Sequence, residues 1–252
     1  MRFIFAGVAI LIQNHPVEES LTTKDKIIVA LDLPSVDAAR KLIKSLGDDV
    51  SWYKIGLQLF GLGGPAFVQE VKASGAKIFL DLKFHDIPNT VQSAVESACT
   101  LGVDMLTIHL SGGSEICQAA VKGRGANSTL ILGVTVLTSQ TEATLSEIGI
   151  NRSMSQQVIS LAALAKSTGI TGLIASPLEL EPLRNEFGDC FVIVTPGVRP
   201  DWSAAGDQKR FTTPAEAIRL GADYLVIGRP ITASPDPKSA FSRIASELSS
   251  KQ

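Results

Sequence analysis

The chain has 252 residues, with 23 Lys and Arg against 25 Asp and Glu, a formal net charge of -2. That balance gives no excess of positive charge to grip a phosphate backbone, so no nucleic-acid partner is expected. Three widely spaced cysteines, Cys99, Cys117 and Cys190, form no C-x-x-C pair. They argue against zinc or redox chemistry and suit small core residues of a reduced, cytoplasmic protein.

The first feature in chain order is an apolar run, Phe3 to Ile12, behind Arg2. It is too short to span a bilayer. Gln13-Asn14-His15-Pro16-Val17-Glu18-Glu19 follows it in place of a small-residue cleavage site, so neither export nor a membrane role is expected. Residues 1–25 are read as an N-terminal extension, in which His15 is incidental, and residues 26–252 as one catalytic domain.

From Lys26 onward, short β-branched runs alternate with longer amphipathic stretches, and Gly, Pro or Asp marks most junctions. The expected strands are Ile27 to Leu31, Ser51 to Ile55, Lys77 to Leu82, Met105 to His109, Leu130 to Val136, Gly172 to Ala175, Phe191 to Thr195 and Tyr224 to Ile227. Between them fall helices at Val36 to Leu46, Pro65 to Ser74, Thr90 to Leu101, Met154 to Ser167, Leu178 to Phe187 and Pro214 to Leu220, with Asp236 to Leu248 closing the chain. Nearly continuous apolar strands alternating with helices predict an α/β fold, a single-domain (β/α)8 TIM barrel. No G-x-G-x-x-G follows the first strand, which weakens a dinucleotide-binding alternative.

A barrel of this kind does its chemistry at the C-terminal ends of its strands. Asp32 closes the first strand, Lys54 the second, and Asp81 and Lys83 the third; Thr138 follows the fifth and Gly228-Arg229 the eighth. Side chains alternate along a strand, so Asp81 and Lys83 share a face, while Leu80 and Leu82 point the other way. A self-neutralising buried ion-pair network would also fit a lone D-x-K. Several charges at neighbouring strand ends are costly as scaffold and useful as a site.

Two further segments suggest a phosphate-bearing ligand. In Val226-Ile227-Gly228-Arg229-Pro230-Ile231-Thr232, glycine permits close backbone approach, arginine supplies a planar donor fork, and a short helix starting near Pro230 would add amides. The long connection from Thr195-Pro196-Gly197-Val198-Arg199-Pro200 through Asp207-Gln208-Lys209-Arg210 has the length of a lid, with Arg199 and Gln208 able to reach a phosphate and a base.

Taken together these residues resemble the bacterial orotidine 5'-phosphate decarboxylase family from about Lys26 to the end. The resemblance rests on Asp81-Leu82-Lys83-Phe84-His85-Asp86-Ile87-Pro88-Asn89-Thr90-Val91, Val134-Thr135-Val136-Leu137-Thr138-Ser139, and the Pro196, Gln208 and Gly228 segments above. It implies decarboxylation of orotidine 5'-phosphate to uridine 5'-phosphate with no cofactor and no metal. Lys54, Asp81, Lys83 and Asp86 would surround the scissile carboxylate as alternating charges, with Lys83 the proton donor. Asp32 and Lys54 would hold the ribose hydroxyls, Thr138 and Gln208 the pyrimidine, and Arg199, Gly228 and Arg229 the phosphate, with Pro196 also against substrate. Asp86, Ile87 and Thr90 would reach into a neighbouring subunit's site, implying a homodimer with shared active sites.

Neither His85 nor His109 has metal-ligand spacing, so both read as packing or supporting residues. Two other functions stay open at this point. One is a related sugar-phosphate decarboxylase or aldolase barrel using magnesium; the other is a catalytically silent phosphate-binding barrel.

Overall fold

The computed structural model describes residues 22–203 and 212–249. The apolar run, His15 and Gln208 lie outside these residues. Eight parallel strands close into a barrel in sequence order: β1 (Ile27–Ala30), β2 (Trp52–Gly56), β3 (Lys77–Phe84), β4 (Met105–His109), β5 (Leu130–Val134), β6 (Gly172–Ile174), β7 (Val192–Thr195) and β8 (Tyr224–Ile227), with β8 returning to β1. The helices are α1 (Val36–Leu46), α2 (Leu57–Ala73), α3 (Pro88–Thr100), α4 (Ser114–Arg124), α5 (Glu142–Glu147), α6 (Met154–Thr168), α7 (Leu180–Phe187), α8 (Pro214–Arg219), α9 (Arg229–Thr232) and α10 (Pro237–Ser249).

Local chemistry sets many of these boundaries. The Ser35 hydroxyl accepts from the Ala38 N–H to start α1, and Gly47, at φ 58, ends it. Ser153 and Gln156 form a reciprocal cap on α6, which ends at left-handed Gly169. Three helices depart from expectation. α2 begins at Leu57 rather than Pro65, because the chain is helical up to a kink at Gly64 and Pro65 only restarts it. α4 and α5 were not anticipated, since glycines flank and interrupt α4 and α5 is short. Gly123 in α4 has a packing cause: a Cβ there would collide with the Gln92 backbone carbonyl of α3.

Strand alternation divides the apolar residues into two cores. Ile27, Val29, Ile78, Leu80, Leu106 and Ile227 face outward and pack under the helices. Ile28, Ala30, Trp52, Phe79, Met105, Leu132, Val134, Ile174, Val194 and Val226 fill the barrel interior. That inner plug occupies the lower layers. Continuing each strand by two residues takes Ala30 to Asp32, Trp52 to Lys54 and Phe79 to Asp81, so the polar residues form the next layer up. Cys99 and Cys117 are buried as expected, whereas Cys190, between the end of α7 and β7, is exposed.

Candidate active site

The centre of the site lies on β3. Leu80 pairs with Leu106 and Phe84 with Ile108, so Asp81, Leu82 and Lys83 face Thr107 alone. This bulge bends β3. Lys83 sits within it at φ 51, the one non-glycine residue at positive φ among the described residues. A lysine held there stores roughly 1–3 kcal/mol of backbone strain, which the surroundings must impose. Lys83 and Asp81 still converge, with Lys83 Nζ 2.7 Å from Asp81 Oδ1.

Asp81 is the hub of a small charged array. Its Oδ2 lies 3.5 Å from Lys54 Nζ, and its Oδ1 also accepts from the Thr107 hydroxyl at 3.1 Å. Burial pushes the Asp81 carboxyl up, but the Lys54 and Lys83 ammoniums and the hydrogen bonds outweigh it, leaving the group below its ordinary range. Buried Lys54 also donates to Asp32 Oδ1 at 2.9 Å, and Asp32 projects to solvent on the rim. Gly56, opposite Asp81 on β2, leaves room for that pair: a Cβ there would stand 3.1 Å from Lys54 Nζ and 3.2 Å from Asp32 Oδ1.

Above the array is a cavity of about 150 Å³, whose lining includes Lys54, Asp81, Lys83, Thr138, Ser176 and Pro196. Thr138 and Pro196 thus line the same cavity as the array. Ser176 was missed by sequence reasoning. It forms a capping box with Glu179, whose carboxylate accepts from the Ser176 N–H at 2.8 Å. Burial pushes the Glu179 carboxyl up against those hydrogen bonds. The pattern Ser176-Pro177-Leu178-Glu179 was a legible signal.

Gly228 and Arg229 stand at the mouth of β8. The Gly228 carbonyl accepts from the Ile231 and Thr232 amides and so caps α9, the short helix expected there, with exposed Arg229 at its start. Arg199 is buried, and its N–H bonds to the Thr212 carbonyl at 3.0 Å, tying both ends of the long connection together. The base of that connection is anchored on α10, where Trp202 Nε1 donates to Glu247 at 2.7 Å and the Trp202 ring lies 4.4 Å from the Arg243 guanidinium.

Asp86 and Ile87 do not line this cavity. They line a separate, open groove with His85, Ser111, Gly112 and Glu115. Asp86 accepts from the Ile87 N–H at 2.6 Å, and Ile87 is 65% exposed. Thr90 is exposed on α3. His85 and His109 sit with ring centroids 5.4 Å apart, and burial, then the neighbouring His85 and Lys83, hold His109 below the usual imidazole range. Among the described residues no cluster of three or more His, Cys, Asp or Glu could hold a metal ion, and no helix is long and apolar enough to cross a membrane.

A closed barrel carrying a lysine–carboxylate–lysine array at the carboxyl ends of adjacent strands has the architecture of a (β/α)8-barrel enzyme. Comparison with known proteins narrows the class. The chain belongs to the orotidine 5'-phosphate decarboxylase / HUMPS family, whose model matches residues 25–244. It is 51% identical over 233 residues to the orotidine 5'-phosphate decarboxylase of Moorella thermoacetica, spanning 89% of this chain and 92% of that one. The enzyme of that name from Rhodopseudomonas palustris is 50% identical over 230 residues, 91% of this chain and 97% of its own. Among solved structures, the orotidine 5'-phosphate decarboxylase of Lactobacillus acidophilus superposes with a TM-score of 0.78 at 39% identity, covering 88% of this chain and 98% of that one.

Proposed function

We propose that this protein converts orotidine 5'-phosphate to uridine 5'-phosphate and carbon dioxide in pyrimidine biosynthesis, as a cytoplasmic enzyme needing no metal or cofactor. The observation that carries the reading is the Lys83–Asp81 pair at 2.7 Å within the cavity above the barrel plug. In the reaction the ring carbon–carboxylate bond breaks, its electron pair stays on the ring carbon, and a proton from Lys83 Nζ ends there. A fixed ammonium beside that carbon stabilises the developing charge before delivering the proton.

Asp81, facing the substrate carboxylate, disfavours the bound ground state. Two unit charges at 4 Å and an effective dielectric near 20 interact by about 4 kcal/mol, while enzymes lower barriers by about 8 to 23 kcal/mol. Further binding energy is therefore required. A cavity of about 150 Å³ is smaller than the roughly 300–1,000 Å³ of ordinary ligand pockets, so it suits the reacting ring and leaves the remainder on the rim. There Asp32 and Lys54 would take the ribose hydroxyls, and Arg199, Gly228 and Arg229 the phosphate. Thr138 and Pro196 would border the pyrimidine, joined by Gln208. Remote binding of the phosphate supplies energy that holds the ring against the array.

The separation of Asp86 and Ile87 from the cavity supports a homodimer in which these residues and Thr90 complete the partner's site. The competing magnesium-dependent sugar-phosphate barrel fits less well, because the Asp81 oxygens a cation would need already meet two ammoniums and a hydroxyl. Following orotidine 5'-phosphate absorbance with and without a chelator tests the reading. Loss of the substrate band in both samples is expected. Activity abolished by the chelator would overturn the metal-free reading, and no product in either would favour the sugar-phosphate barrel or a catalytically silent one.

A further inference from the structure

Thr107, midway along β4, is fully buried and lies opposite the three-residue bulge. Its hydroxyl accepts from the Lys83 N–H at 2.8 Å and donates to Asp81 Oδ1 at 3.1 Å. The same Oδ1 receives Lys83 Nζ, so the contacts close a ring that leaves Lys83 by its backbone and returns through its side chain. A hydroxyl can be donor and acceptor at once, which this position uses in full. The bulge takes Lys83 out of regular pairing with β4, and Thr107 supplies an acceptor for its part-buried N–H. Thr107 does not line the cavity.

We infer that Thr107 is a positioning residue for the proposed decarboxylation, holding Lys83 in its left-handed conformation and turning the Asp81 carboxylate toward the ammonium. This rests on the function proposed above. Serine preserves the ring, whereas valine keeps the volume and the branching but leaves the Lys83 N–H and one Asp81 contact unmade.

The test compares wild type with Thr107→Val, Thr107→Ser and Thr107→Ala in kcat and KM for orotidine 5'-phosphate, in affinity for uridine 5'-phosphate, and in crystal structures. Thr107→Val and Thr107→Ala are expected to lower kcat about 10- to 100-fold, with KM and product affinity within about threefold of wild type. Thr107→Ser should recover most of kcat. The alanine variant keeps the test open if the valine variant does not fold. Unchanged kcat in both apolar variants, a serine variant as poor as they are, or an equal loss of product affinity overturns the inference. If the wild type proves inert, the proposed reaction falls and the crystal structures decide this point alone. An apolar variant that keeps Lys83 left-handed and Asp81 against Lys83 Nζ overturns it there too.

Discussion

Lys83 Nζ meets Asp81 Oδ1 at 2.7 Å although the two residues are only two apart on one strand. The proposed proton donor and the carboxylate that neutralises it therefore stand on one strand, both placed by the β3 backbone. Substitutions in this strand should act on the chemistry, and substitutions on the rim should act on binding.

Lys83→Ala is expected to abolish decarboxylation while uridine 5'-phosphate still binds. Arg229→Ala should lower kcat/KM by orders of magnitude through lost phosphate contact. Single-turnover kinetics beside a binding titration separates the two. Retained turnover in Lys83→Ala removes it as proton donor, and an unchanged kcat/KM in Arg229→Ala removes the phosphate assignment.

Gly56→Ala should disturb the site and spare the fold. The atoms that a Cβ would crowd, Lys54 Nζ and Asp32 Oδ1, are the ends of side chains that can swing away. We expect kcat/KM about tenfold lower, from misplacement of the array, with an unchanged melting temperature. A large drop in melting temperature with normal kcat/KM would contradict this account of Gly56.

Stability in acid should report Asp81. Its folded value lies below the ordinary 3.8, so the charged carboxylate favours the folded state above that value, and this contribution is lost as pH falls through the lowered value. Urea midpoints of wild type and Asp81→Asn, measured from neutral pH into acid, should differ by a constant amount above about pH 5 and converge below the ordinary carboxylate range. A difference that stays constant to the acid limit would mean that Asp81 is not held charged by its neighbours.

Ile87→Asp is expected to convert a dimer to monomers in sedimentation velocity without unfolding them, since Ile87 is largely exposed within one chain. A site shared between subunits would have its own signature. Mixing Lys83→Ala with Asp86→Ala, each inactive, should restore roughly one quarter of wild-type activity, because half of the dimers are mixed and each has one intact site. No recovery after exchange would place Asp86 in its own subunit's site or in none.

Strand alternation alone was enough to put Asp81 and Lys83 on one face, and strand count with β-branched runs was enough for the barrel. The bulge was not legible, because it is a property of β3 relative to β4, and nothing within Asp81-Leu82-Lys83 announces that three residues will face one. Thr107 was overlooked for the same reason: a threonine in a buried strand looks like a β-former until its partner is known. The parity of Met105, Thr107 and His109 would have turned it inward. Glycine misled in α2 and α4, where the helix tolerates it at a kink or needs it for close approach.

The two cores carry a consequence for how this chain can change. The outer core joins strands to helices, while the ten-residue plug lies just beneath the charged layer. A mutational lineage could therefore exchange the groups at the strand mouths, one at a time, over a floor that stays in place. The exception is β3, where Lys83, Asp81 and Thr107 hold one another, so that any new chemistry there must be acquired as a set.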